Sequence, residues 1–202
     1  MKGLLLKDIL NLRQQGKVYF LIIAIWLAIA IASSDGNFFS GVMMMFTVLV
    51  PLSAAAYDDK AKWDRYALTM PISRWDIVLS KYLLAFICAV VSAFLSEIVM
   101  VIITGDVCNS LLLSAIYIMV GMLFVSLILP FIFRFGVEKA RLIMMAIVLI
   151  PTILMTVISR MDIRLPEWKE PEKIVWLFPI VVITIVAISV VVSKKIYDHK
   201  EL

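Results

Sequence analysis

The stretch Tyr57–Lys81, with the sequence YDDKAKWDRYALTMPISRWDIVLSK, is a charged and aromatic island between two long apolar runs. Nine of its residues carry a formal charge: Asp58, Asp59, Lys60, Lys62, Asp64, Arg65, Arg74, Asp76 and Lys81. Because charged groups are costly inside the hydrocarbon layer of a bilayer, the island must lie at a membrane surface. The apolar runs on either side of it are then membrane-spanning segments.

The composition of the whole chain indicates the same class of protein. Of the 202 residues, 63% are hydrophobic and the mean hydropathy is +1.05, whereas a soluble domain is about 45–50% apolar. This excess predicts a polytopic membrane protein with no soluble domain. The formal charge of +4 comes from clustered cations, which indicates orientation in a membrane and not binding of nucleic acid. No small-residue cleavage site follows the first apolar run, so we expect it to be retained as a span.

The apolar runs predict an all-α fold with six transmembrane helices in one domain, residues 1–202. A helix needs about 20 apolar residues to cross the bilayer. The predicted spans lie at about 18–32, 38–56, 77–104, 110–133, 142–159 and 174–193.

The N-terminal arm, residues 1–17, has the pattern of an amphipathic helix. Leu5, Ile9 and Leu12 recur at spacings of four and three, and Lys7 and Arg13 are among the cations beside them. This pattern favours a helix that lies on the inner membrane surface. The alternative is that the arm simply extends the first span.

The distribution of basic residues predicts the orientation. Six spans place both termini on one side, and fifteen of the nineteen basic residues then fall on that side. The turns on the other side hold only Arg160, Arg164, Lys169 and Lys173. The positive-inside rule therefore predicts cytoplasmic N and C termini and a cytoplasmic island.

Within the island, the sequence predicts a helix, a break and a second helix. Asp58 or Asp59 can cap a helix that begins at Lys60, and Pro71 is expected to end it after Met70. Ser73 and Asp76 match a capping box at the start of the third span.

Trp63, Tyr66, Ala67 and Met70 are spaced to form one apolar face of the first of these helices. One interpretation is an ordinary surface helix whose aromatic side chains rest at the lipid headgroups. The other is a docking helix for a cytoplasmic partner, with Trp63 and Tyr66 as the main contacts.

The segment TMPISRWDIVLSKYLLA resembles ABC-2 type transporter permeases of the small, stand-alone, six-span class. The matching positions are Leu68, Met70, Pro71, Ile72, Ser73, Arg74, Ile77, Val78 and Lys81. Asp58 and Asp59 also resemble the acidic start of this motif in the family.

The resemblance implies a mechanism and partners. Two permease copies, or a permease and a paralogue, form the membrane part of an exporter, and separate cytoplasmic ATPase subunits bind and hydrolyse ATP. The helix after the second span inserts into a cleft of the ATPase, which assigns Lys60–Met70 as a coupling helix with Asp64 and Arg65 as charge partners. The implied ATPase-coupling residues are Asp59, Lys60, Lys62, Trp63, Asp64, Arg65, Tyr66, Met70, Pro71 and Arg74.

The resemblance also implies a setting and a substrate class. It places the chain in a bacterial cytoplasmic membrane, where it would move an amphipathic peptide, a peptide antibiotic or a lipophilic compound outward, in export or in antibiotic resistance. The alternative is a non-transport anchor or sensor subunit of a membrane complex.

The chain has no phosphate-binding loop of the form GxxxxGK[ST], so we expect it not to hydrolyse ATP and to need no cofactor of its own. One histidine and two separated cysteines do not make a metal site.

Glu97 is the candidate residue inside a span. It lies sixteen residues beyond Lys81, a helical rise of about 24 Å, so we expect it in the outer part of the bilayer. Glu97, Ser92 and Ser96 are candidates for the translocation path. Alternatively, Glu97 lies near the external interface without a specific role, and the two serines allow close packing of helices. The loop 159–173 is the one substantial external segment, and it is expected to form at most a reduced cap.

Overall fold

The computed structural model describes residues 2–67, 69–70, 72–160 and 171–199, and these residues form helices and short turns. The helices are α1 Lys2–Arg13, α2 Gly16–Ser33, α3 Gly36–Lys60, α4 Trp63–Ala67, α5 Arg74–Thr104, α6 Val107–Phe135, α7 Val137–Arg160 and α8 Pro171–Asp198.

Six of the described helices are long and apolar enough to cross a membrane, which confirms the predicted all-α, six-span fold. Their membrane-spanning candidates are Gly16–Ser33, Gly36–Lys60, Arg74–Thr104, Val107–Phe135, Val137–Ile158 and Leu177–Asp198. Each predicted span lies within the full length of one helix, in the order α2, α3, α5, α6, α7 and α8.

Polar caps at the turns fix where the spanning helices begin. Asp35 accepts a hydrogen bond from the Asn37 amide (2.9 Å) at the start of α3. Asp106 accepts from the Cys108 amide (3.1 Å) at the start of α6. These carboxylates accept hydrogen bonds from backbone amides that have no acceptor inside the helix. Each tight turn therefore marks the end of one spanning helix and the beginning of the next.

Helix α3 is at the centre of the bundle. It packs against α1, α2, α4, α5, α6 and α7, with its longest interface against α5. Its buried side chains include Phe39, Met43 and Leu52. By contrast, most side chains on the spanning part of α7 face outward, as suits a helix in contact with lipid.

The ends of several helices meet at one end of the bundle, which we call the charged end. It comprises α1, α4, the last turns of α3, α6 and α8, and the first turns of α5 and α7. Helix α1 is separated from α2 by a turn at Gln14 and Gln15, so the N-terminal arm is not a continuous extension of the first span. Its position on the membrane surface remains a prediction.

Candidate functional site

Four charged side chains at the charged end form a closed ring in which cations and anions alternate. Lys81 Nζ lies 2.9 Å from Asp8 and 2.6 Å from Asp58. Lys7 Nζ lies 2.6 Å from Asp58 and 3.2 Å from Asp8. The ring joins α1, α3 and α5, and its two positive and two negative charges compensate each other.

The ring is largely removed from solvent. The side chains of Asp8 and Lys81 are 1% and 5% exposed, and that of Asp58 is 11% exposed. Buried charges are tolerated when they are paired, and loss of one member leaves its partners uncompensated. The ring therefore makes the relative positions of the three helices interdependent.

Sequence reasoning missed this ring, although two signals were present. Asp8 is the one acidic residue in a cationic arm, and Lys81 is surrounded by apolar residues such as Val78 and Leu84. A charged residue in an apolar helix requires a partner of opposite sign. The pattern does not indicate, however, which of the acidic residues elsewhere in the chain supplies it.

The predicted helix Lys60–Met70 is wrong in its bounds. Helix α3 continues to Lys60, and only the five residues Trp63–Ala67 form α4. Between the two helices Lys62 has a φ of 49°, a left-handed conformation that ends helical geometry. Asp58 and Asp59 do not cap α4, because both belong to the last turns of α3.

The predicted single apolar face of this segment is also wrong, because its members point to different sides. Ala67 is fully buried, whereas Tyr66 is 63% exposed and Met70 is 45% exposed. Trp63 is half-buried, and its ring lies 4.4 Å from Lys7 Nζ in a cation–π contact. The short length of α4 explains the difference, since one turn of helix cannot present a continuous face.

The remaining predicted coupling residues divide into two groups. Lys60, Lys62 and Arg65 are exposed. Asp64 interacts with Tyr197, which is buried on α8. Pro71 lies outside the described residues.

Asp59 and Arg74 each cap another helix of the same chain. Asp59 Oδ2 accepts a hydrogen bond from the Val137 amide (2.9 Å) at the start of α7. Arg74 Nη1 donates to the carbonyl oxygens of Tyr197 (3.0 Å) and Asp198 (2.6 Å) at the end of α8. An anion at a helix N-terminus and a cation at a C-terminus both complement the helix dipole. These contacts tie α3 to α7 and α5 to α8.

The predicted capping box at the start of α5 is confirmed. The Asp76 amide donates to Ser73 Oγ at 3.1 Å, and the Ser73 amide donates to the Asp76 carboxylate at 3.3 Å. Helix α5 therefore begins at the charged end, directly after the segment that follows α4.

A second polar cluster lies between α3, α5 and α6, away from the charged end. Glu97 accepts hydrogen bonds from Ser110 (2.9 Å) and Ser114 (2.8 Å) of α6. Ser96 is hydrogen-bonded to Ser40 of α3, with 2.6 Å between the hydroxyl oxygens.

Ser92, Ser96 and Ser114 line a small cavity of about 10 Å³ beside this cluster, close to the least volume that one water molecule needs. The structure thus brings the three path candidates, Glu97, Ser92 and Ser96, to one seam of the bundle. The predicted external loop 159–173 falls mainly on residues 161–170, which lie outside the described residues.

Comparison with known proteins adds one finding. A family model described as ABC-2 family transporter protein matches residues 3–198, which is almost the whole chain. No curated protein and no solved structure matches the chain.

Proposed function

The chain belongs to the ABC-2 family of transporter proteins, and from this premise we propose that it is the permease subunit of an ATP-driven exporter. It sits as a multi-pass protein in a bacterial cytoplasmic membrane, paired with a second copy or a paralogue. Separate cytoplasmic ATPase subunits bind the ATP. The exported compound is an amphipathic peptide, a peptide antibiotic or a lipophilic compound.

The observation that carries the proposal is the exposed side of the α3–α4–α5 connection at the charged end, which we call the docking surface. Arg65, Tyr66 and Met70 project from a segment whose other side is packed into the bundle. Arginine and tyrosine are among the residue types enriched at the positions that dominate protein–protein binding. Exposed Lys60 and Lys62 add positive charge to this surface, which favours a partner with an acidic cleft.

The contacts beneath this surface support a coupling role. Trp63 contacts Lys7 of the ring, and Asp64 interacts with Tyr197 of α8. A displacement of α4 by a closing ATPase would therefore be passed both to the helices joined by the ring and to α8. Coupling of this kind requires that the packed segment can adopt two conformations, one favoured by each state of the ATPase.

The seam around Glu97 is the proposed part of the translocation path. It lies among three spanning helices and combines one carboxylate with several hydroxyl groups. Such a surface suits the polar side of an amphipathic compound, while the apolar side chains of the same helices suit its apolar side.

The experiment purifies the chain from its native cells and measures the ABC ATPase that co-purifies, before and after changes to the exposed side of α4. We expect R65A/Y66A to weaken recovery of the ATPase about tenfold or more, as loss of central interface residues does. The matched control is F20A, which removes an aromatic side chain that is 74% exposed on α2.

If R65A/Y66A recovers as much ATPase as the unchanged chain does, the ATPase does not bind at the docking surface and this part of the proposal is wrong. ATPase binding without ATP-driven movement of any amphipathic compound in proteoliposomes would favour the anchor or sensor function.

A further inference from the structure

A groove of about 500 Å³ lies between the last turns of α6 and α8 at the charged end. It has no part in the docking surface or in the Glu97 seam. Its lining residues are Phe133, Arg134, Val192, Lys195, Ile196 and His199.

The polar part of this groove is basic. Arg134 and Lys195 are its two cations, and no acidic side chain lines it within the described part of the chain. Neither cation makes an ion pair with another described residue, in contrast to Lys7 and Lys81. The guanidinium of Arg134 lies 5.2 Å from the ring of Phe135, which leaves its charge available to an anion.

The other part of the groove is apolar and continues toward the lipid-facing surface. Val192 and Ile196 form one wall, and Val192 is 43% exposed. One turn earlier on α8, Ile188 is 58% exposed. An apolar channel that begins at two cations and continues along a spanning helix matches a headgroup followed by acyl chains.

The depth of the groove also matches a lipid headgroup. Lys194 Nζ lies 5.1 Å from the ring of Trp75, which is partly exposed at the start of α5. Tryptophan side chains concentrate where the hydrocarbon layer meets water, and lysine side chains near helix ends extend to the same level. Lys195 is the neighbour of Lys194, so the cations of the groove lie near this level.

We propose that the groove between α6 and α8 binds an anionic phospholipid, with its phosphate on Arg134 and Lys195 and its acyl chains along Val192 and Ile196. Basic pockets between spanning helices at the cytoplasmic side are suited to acidic headgroups. The proposal requires only that the chain spans a membrane, so it is independent of the exporter function.

The test uses the full chain in detergent micelles, with native mass spectrometry after titration with phosphatidylglycerol or phosphatidylcholine of the same acyl chains. We expect the wild type to retain phosphatidylglycerol preferentially. Each cation near a membrane surface contributes about 1 kcal/mol, which is about fivefold in affinity. R134Q/K195Q should therefore lose preference by roughly 25-fold, whereas R134K/K195R should keep most of it.

The matched control is K139Q/R141Q. Lys139 and Arg141 line a second pocket at the same end together with Lys60, but Asp59 and Glu138 line it as well and offset most of its positive charge. We expect this variant to keep the lipid preference. If R134Q/K195Q does not fold, the single variants R134Q and K195Q are compared, each with an expected loss of about fivefold.

Several outcomes would overturn the proposal. They are equal binding of both lipids by the wild type, an unchanged preference in R134Q/K195Q and its single variants, or an equal loss in K139Q/R141Q. Displacement of phosphatidylglycerol by millimolar inorganic phosphate would identify a site for the free anion. Loss of ATPase recovery with lipid binding unchanged in R134Q/K195Q would identify a protein contact.

Discussion

At the residue scale, Lys81 shows how a charge can be held inside an apolar helix. Its neighbours on α5, Val78 and Tyr82, are buried, and its ammonium contacts carboxylates from α1 and α3. The energy of this arrangement comes from compensation, because two carboxylates and two ammonium groups share one site. Removal of any one group leaves a net charge in a space that is largely shielded from water.

We expect K81M to lower the free energy of unfolding by about 3–5 kcal/mol, because Asp8 and Asp58 lose their shared cation. Thermal unfolding in detergent measures the effect. D8N/K81M should recover part of the loss, since the Lys7–Asp58 pair then remains balanced. The control K60M removes an exposed lysine of α3 and should change stability by at most about 0.5 kcal/mol. A K81M variant as stable as K60M would contradict the structural role of the ring.

Gly136 is a second residue with a measurable role. Its φ of 80° and ψ of 172° belong to a region that residues with a Cβ avoid. A Cβ at this position would also lie 3.1 Å from Asp59 Oδ2, which caps α7. We expect G136A to cost about 1–3 kcal/mol, measured by the same unfolding assay.

Gly41 supplies the comparison for G136A. It lies inside α3, and nothing lies within 4 Å of the position of an added Cβ. We expect G41A to be neutral or to stabilise by up to about 1 kcal/mol, because alanine favours a helix more than glycine does. Equal effects of the two substitutions would show that the Gly136 conformation is not required.

At the element scale, the helix ends of the charged end are capped by side chains of other helices. Sequence reasoning could predict the Ser73–Asp76 capping box because its partners lie within one turn of helix. It could not predict that Asp59 caps α7 or that Arg74 caps α8, since these partners are separated by 78 and by 123 or more positions. Both side chains make hydrogen bonds within the chain, and these partners were not visible in the local pattern, while their role in ATPase coupling stays a prediction.

We expect R74Q to loosen the last turn of α8, because the carbonyls of Tyr197 and Asp198 lose a charged donor. Hydrogen bonds to charged groups contribute about 1.5–3 kcal/mol. Hydrogen–deuterium exchange of the peptide that covers the end of α8 should become faster, with little change in α2. R74K should have an intermediate effect, because lysine keeps the charge but not the forked geometry. Unchanged exchange in R74Q would reject the cap.

At the scale of the whole molecule, the six spans could be predicted from hydropathy alone. Each of the six helices contains a strongly apolar stretch of 18 residues, so length and composition suffice to identify it as a candidate span. The arrangement of the helices could not be predicted in this way, because every spanning helix has apolar residues on several faces. The serine seam beside Glu97 illustrates this, since Ser40, Ser96 and Ser114 come from three helices and meet only in the packed bundle.

The predicted orientation has a direct test in cysteine labelling. Tyr66 on α4 is exposed at the charged end, and Cys108 is exposed at the start of α6. If the charged end is cytoplasmic, an impermeant thiol reagent should label Y66C/C108S only in inside-out vesicles. Cys108 of the unchanged chain should react only in right-side-out vesicles. Labelling of Y66C/C108S from outside would reverse the orientation and remove the basis for an ATPase contact at α4.

The ring that joins Lys7, Asp8, Asp58 and Lys81 also has a consequence for how the chain is made. Asp8 leaves the ribosome 73 positions before Lys81. Asp8 therefore cannot form its ion pair with Lys81 while the first two spans enter the bilayer. The arm therefore reaches its final place only after the start of the third span has emerged. Until that point water hydrates Asp8 at the membrane surface, and a chain that lacks the start of the third span cannot close the ring.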